Sequence, residues 1–130
     1  MKYLAVDYGS SKIGLAIGDD ATRLALPFGV VENTGKGADT VVDVAVKEAT
    51  DALVVGVPVP LAQEQGTRSL ERVHRFIDAL RERTDKPIFC VDESYTTRSA
   101  NVLQEEGAEV AEDALAAMLI LEDFFQQRNV

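Results

Sequence analysis

Asp7, Glu93 and Asp113 are the residues of this chain whose type and placement suit chemistry. Asp7 closes the apolar run "YLAV" and precedes the small residues Gly9, Ser10 and Ser11. Glu93 closes the run "IFCVDE", and Asp113 stands just ahead of "ALAAMLIL". Sites in open α/β sheets gather outside the carboxyl ends of the strands. Converging carboxylates repel one another and are tolerated around a hard divalent cation, and Mg²⁺ or Mn²⁺ takes oxygen ligands. Two such ions about 4 Å apart can activate a water and stabilise the leaving oxygen of a phosphodiester. Each acid also has an ordinary explanation. Asp7 could close a turn through its side chain, Glu93 could be a surface acid, and Asp113 could be a first-turn charge on a helix dipole. Asp92 is the neighbouring alternative to Glu93, and adjacent strand residues point to opposite faces. Glu93 is favoured because the turn-like "SYTT" after it puts it nearest the sheet edge.

The elements that must position these acids follow from the periodicity. "KYLAVDY" and "KIGLAIGDD" read as strands joined by "GSS" as a hairpin. "RLALPFGVVEN" reads as a third strand, and Pro27 assigns it to an edge or a bulge. "KGADTVVDVAVKEAT" sets Val41, Val42, Ala45 and Ala49 on one helical face. "DALVVGVP" is a buried strand ending in a turn. "TRSLERVHRFIDALRERT" spaces Leu70, Val73, Ile77 and Leu80 as an amphipathic helix, and "KPIFCVDE" is another buried strand. "TTRSANVLQEEG" reads as a short helix stopped by Gly107, and the residues from Glu109 on as a long apolar final helix. The expectation is an α/β domain over 1–130. Three antiparallel strands lead into alternating β and α units, giving a mixed sheet with helices on its faces.

Composition bounds the function. The 130 residues are 46% hydrophobic, enough for a folded core. No apolar run reaches the roughly 18 residues that span a bilayer, and the start of the chain is too short and acidic for a secretory signal. A single cysteine, Cys90, makes no internal disulfide, so a cytoplasmic setting is expected. Cys90 is expected to be an inert core thiol, His74 a boundary residue, and Phe124 and Phe125 core or dimer contacts. The net charge of −9 opposes non-specific binding to nucleic acid, although a local basic patch can outweigh it.

Four blocks in series resemble the YqgF/RuvX family. They are "AVDYGSSKIGLAIGD", "VVGVPVPLAQEQG", "VDESYTT" and "EDALAAMLILEDFF", and together they cover nearly the whole chain. That family is described as candidate Holliday-junction resolvases and candidate nucleases maturing the ends of pre-16S ribosomal RNA. The resemblance implies an RNase H-like fold with a five-stranded sheet and a Mg²⁺- or Mn²⁺-dependent nuclease mechanism. It also implies that Asp7, Glu93 and Asp113 match the family's acidic triad, as catalytic and metal-holding residues. The partner would be structured RNA (pre-16S rRNA) or branched DNA, with a ribosome-associated protein as a further partner, no membrane, and a monomer or homodimer. Two features depart from the family pattern. The segment before the last helix carries Glu105, Glu106, Glu109, Glu112 and Asp113 with no basic residue, and Ser94 stands where an arginine is common. Lys12, Arg68, Arg72, Arg75 and Arg98 are the candidates to hold a phosphate backbone. Arg68, Arg72 and Arg75 share a helix face, where pairing with Glu71 and Asp78 is the ordinary outcome. Two other classes remain in view: a non-catalytic interaction scaffold, and a nucleotide-binding module of actin or sugar-kinase type.

Overall fold

A computed structural model describes residues 1–58, 67–93 and 112–128, and for 67–69 the helical backbone alone. The strands are β1 (Lys2–Tyr8), β2 (Lys12–Asp19), β3 (Leu24–Glu32), β4 (Ala52–Pro58) and β5 (Ile88–Glu93). The helices are α1 (Gly37–Lys47), α2 (Thr67–Arg83) and α3 (Glu112–Gln127). The expected short helix over 96–107 lies outside the described residues.

The five strands form one sheet in the order β3-β2-β1-β4-β5. β1 pairs antiparallel with β2, and β2 with β3. β4 runs parallel to both β1 and β5. This is the expected mixed sheet, with the RNase H-like strand arrangement. β4 is buried from Ala52 to Val57 because helices cover both its faces, which explains its unbroken apolar run. Pro27 sits on edge strand β3, where the register shifts opposite Leu15 and Ala16. Edge and bulge therefore occur together, and the missing N–H of Pro27 is tolerated.

Strand alternation divides the core into two layers. Leu4, Val6, Ile13, Leu15, Leu53 and Val55 face α1 and α2, where they meet Val41, Ala45, Val73, Ile77 and Leu80. Tyr3, Ala5, Ala16, Ala52, Val54 and Val91 face α3, where they meet Ala117, Ile120, Leu121, Phe124 and Phe125. Burying one large aliphatic or aromatic side chain is worth about 1.5–3 kcal/mol, so these two layers dominate stability. Phe124 and Phe125 pack on Tyr3 with ring centroids 5.1 and 5.7 Å apart, as core residues. No described helix is long and apolar enough to cross a membrane.

Two expectations need correction. Ala49 leaves the apolar face of α1: it is exposed, with φ of 54°, because the helix has ended at Lys47. Buried Thr50 closes that end by donating its hydroxyl to the Ala45 carbonyl at 3.1 Å. Cys90 is exposed rather than in the core, because β5 is an edge strand and alternation turns Cys90 away from α3. Partial desolvation pushes its thiol pKa up.

Candidate active site

Three half-buried acids occupy the α3 side of the sheet at the carboxyl ends of β1 and β5. Tyr3 and Ala5 of β1 face α3, so Asp7, two positions further, shares their side. Phe89 and Val91 of β5 face α3 as well, which puts Glu93 on that side and Asp92 on the other. Glu93, and not Asp92, therefore shares the face of Asp7.

Glycines make room for the acids. Gly14 is the direct cross-strand partner of Asp7. A Cβ on Gly14 would stand 1.8 Å from the main-chain oxygen of Asp113. The start of α3 thus rests on the sheet at the residue opposite Asp7, an approach that only glycine permits. On the other flank, one position beyond the Val6–Val55 pair, Asp7 stands beside Gly56. A Cβ there would lie 3.5 Å from Cγ of Glu93 and 2.5 Å from Cδ1 of Ile120. Asp7 is therefore flanked by two glycines, one beneath the backbone of Asp113 and one beside the Glu93 side chain. Glu112 and Asp113 form the acidic first turn of α3, which also suits the helix dipole.

The turn after Asp7 is braced from β3. Asn33 donates its side-chain amide to the Gly9 carbonyl at 2.8 Å, and its own N–H to the Ser11 carbonyl at 2.9 Å. The sequence reading missed this residue, and a lone Asn after a strand offered no signal for it.

As a donor set, three carboxylates suit a hard cation such as Mg²⁺ or Mn²⁺. Face and strand end agree with that chemistry. Among the described residues, no three His, Cys, Asp or Glu side chains form a group that could hold one metal ion. The site brings the acids to one end of one face without closing them into a ligand cage.

The basic candidates divide. Lys12 is exposed at the start of β2 and shares the side of Gly14, so it lies on the face of the acids, with Glu32 as its cross-strand partner. Arg72 and Arg75 are exposed on α2, in the opposite layer. Arg75 reaches Glu71 at 3.8 Å, while Asp78 pairs with Arg81 rather than with a stripe arginine. The side chain of Arg68, all of Arg98, and Glu105, Glu106 and Glu109 lie outside the described residues. His74 is exposed.

Comparison with known proteins places the chain. The RuvX family, described as Holliday junction resolvase, matches residues 1–127. A protein of Cupriavidus necator named "Putative pre-16S rRNA nuclease" is 39% identical over 127 residues, covering 95% of this chain and 87% of that protein. One of the same name from Rickettsia typhi is 30% identical over 127 residues, covering 92% of this chain and 81% of its own. Among solved structures, Thermus thermophilus RuvC in complex with a Holliday junction superposes with a TM-score of 0.66 at 16% identity, over 98% of this chain and 96% of that one. The fowlpox virus resolvase with Holliday junction DNA superposes with a TM-score of 0.61 at 11% identity, over the whole of both chains. At such identities the superpositions establish the shared fold, and the sequence match over nearly the full length establishes that this chain belongs to the RuvX family.

Proposed function

We propose that this member of the RuvX family is a divalent-metal-dependent nuclease that hydrolyses phosphodiester bonds in structured nucleic acid. The substrate would be the ends of pre-16S rRNA or branched DNA. Asp7, Glu93 and Asp113 would hold Mg²⁺ or Mn²⁺. When bound, such an ion lowers the pKa of water and offsets charge on the leaving oxygen. The chain's own part is positional. Asp7 is fixed by its ladder partner and Asp113 by the contact of its main chain with Gly14. Lys12, exposed on the same face, can hold a phosphate oxygen beside the acids. The observation that carries this reading is the seating of the Asp113 main chain on Gly14, the cross-strand partner of Asp7, which brings the two acids to one strand end.

The test is Mn²⁺-dependent cleavage of a labelled structured RNA and a four-way DNA junction, with Asp7→Asn beside the wild type. Loss of cleavage by a factor of about 100 or more in the variant is expected. Equal cleavage by both proteins would overturn the assignment of the site. Failure of the pure wild type to cut either substrate would favour a scaffold role. The relative rates on the two substrates would decide between RNA and DNA.

A further inference from the structure

On the other side of the sheet from the acids lies a cleft of about 230 Å³ lined by Tyr8, Asn33, Lys36, Arg72, Arg75 and Arg83, among others. Four cations face it against one carboxylate, Asp39, in a chain whose net charge is −9. Asp39 is already paired with Nε of Arg83 at 2.5 Å. Arg75 has only a loose, exposed contact with Glu71 at 3.8 Å. Lys36 and Arg72 form no ion pair among the described residues. Arg83 also lies 3.8 Å from Glu82, so the excess positive charge rests on Lys36, Arg72 and the loosely held Arg75; such an excess in an acidic protein calls for an anionic occupant.

Size and surroundings narrow the occupant. The cleft is smaller than the roughly 300–1,000 Å³ of ordinary small-molecule pockets, so it suits a group rather than a whole ligand. Tyr8 and Phe76 supply an aromatic wall, with ring centroids 4.4 Å apart. At the rim, α1 begins with no side-chain cap from Lys36, which leaves first-turn N–H groups such as those of Gly37 and Ala38 without a side-chain acceptor. The cleft also touches the acidic site: Tyr8 directly follows Asp7 on β1, with its side chain on the opposite face. A nucleic-acid strand passing over the carboxyl end of central β1 meets the acids on one side and the cations on the other.

We propose that this cleft is a second phosphate subsite, holding a backbone phosphate of the same nucleic-acid strand whose scissile phosphate lies at Asp7. The proposal rests on the nuclease reading, and it supplies what that reading lacks. The acids and the net charge repel a polyanion, so an anchor away from the carboxylates must hold the backbone. Phosphate contacts of this kind position a strand without reading its sequence.

The test follows backbone amide resonances while a 5′-phosphorylated hexathymidylate or hexauridylate is titrated into the intact protein without divalent metal. Saturable shifts at Gly37 and Ala38 are expected. Lys36→Gln combined with Arg72→Gln should weaken binding at least fivefold and flatten the salt dependence of affinity by about 0.7 in log–log slope, the loss of one single-strand phosphate contact. Arg81→Gln, on the same helix but outside the cleft, should change neither. Both substitutions in the double variant are at the surface, and an unchanged melting temperature would certify its fold. Static resonances at Gly37 and Ala38, or an unaltered salt slope in the double variant, would overturn the proposal. So would inorganic phosphate shifting them as strongly as the oligonucleotide, which would mark a free-phosphate site. The nuclease reading fails separately, if Asp7→Asn cleaves like the wild type.

Discussion

The main-chain oxygen of Asp113 occupies the space a Cβ on Gly14 would need, with only 1.8 Å between them. Helix α3 and strand β2 therefore meet backbone to backbone, at the residue directly opposite Asp7. A backbone group cannot swing aside as a side chain can, so Gly14→Ala must lift the start of α3. We expect a loss of about 3 kcal/mol and a fall in melting temperature of roughly 10 °C. Gly29→Ala, where a Cβ meets nothing within 4 Å, is the matched control and should change stability by less than about 1 kcal/mol. Thermal unfolding of the two variants side by side checks both values.

Gly56→Ala should separate stability from activity. Its Cβ would press on Cδ1 and Cγ1 of buried Ile120 at 2.5 and 2.9 Å, a side chain that must shift where the backbone at Gly14 cannot, and would touch Cγ of Glu93 at 3.5 Å. The expected cost is about 1–2 kcal/mol, smaller than at Gly14. Metal-dependent cleavage by the folded protein should stay within about twofold of wild type, because 3.5 Å from Cγ of Glu93 is ordinary van der Waals contact and leaves that side chain in place. Measuring cleavage rate and melting temperature on one preparation tests this. A loss of rate larger than the loss of stability accounts for would show that the Glu93 position depends on Gly56.

What the sequence revealed follows from where the physics is local. The apolar periods of β1, β4 and α2 specified those elements, since each buries a face set by its own spacing, as Val73, Ile77 and Leu80 do. Strand alternation could put Asp92 and Glu93 on opposite faces, but not say which face α3 would cover. Cys90 was misplaced for a related reason: an apolar strand in sequence does not reveal that it lies at the edge of the sheet. The α2 arginines were visible as a stripe, but their cleft was not. It needs Lys36, Tyr8 and Asn33, which come together only when α1 packs beside α2. That no three acids among the described residues close on one metal ion was equally beyond reach of the sequence.

Metal binding should register as stability. A divalent ion held at Asp7 would bind the folded chain and not the unfolded one. At 100 times its dissociation constant it adds about 2.7 kcal/mol. Millimolar Mn²⁺ should therefore raise the melting temperature of the wild type by several degrees and that of Asp7→Asn by much less. Chelator should reverse the gain. Equal shifts in both proteins would mean that the ion binds away from Asp7.

The amino terminus gives stability a pH dependence with two edges. The Met1 ammonium contacts Oδ1 of Asp20 at 2.8 Å, and the Tyr3 hydroxyl donates to Oδ2 of the same carboxylate at 3.2 Å. The hydrogen bond to Asp20 raises the pKa of the amine above its ordinary value of 8.0, and the same contact lowers that of Asp20 below 3.8. The amine's contribution is complete below pH 8.0 and is lost as pH rises through its raised pKa. The carboxylate's contribution is complete above pH 3.8 and is lost as pH falls through its lowered pKa. Asp20→Asn removes the charge both edges depend on. The melting temperature of the variant, scanned from pH 3 to 10, should fall less steeply than that of wild type both above pH 8 and below pH 4. Parallel curves would show that the contact contributes nothing in solution. Both groups are solvent-exposed, so 1 M salt should shrink the difference between the two proteins.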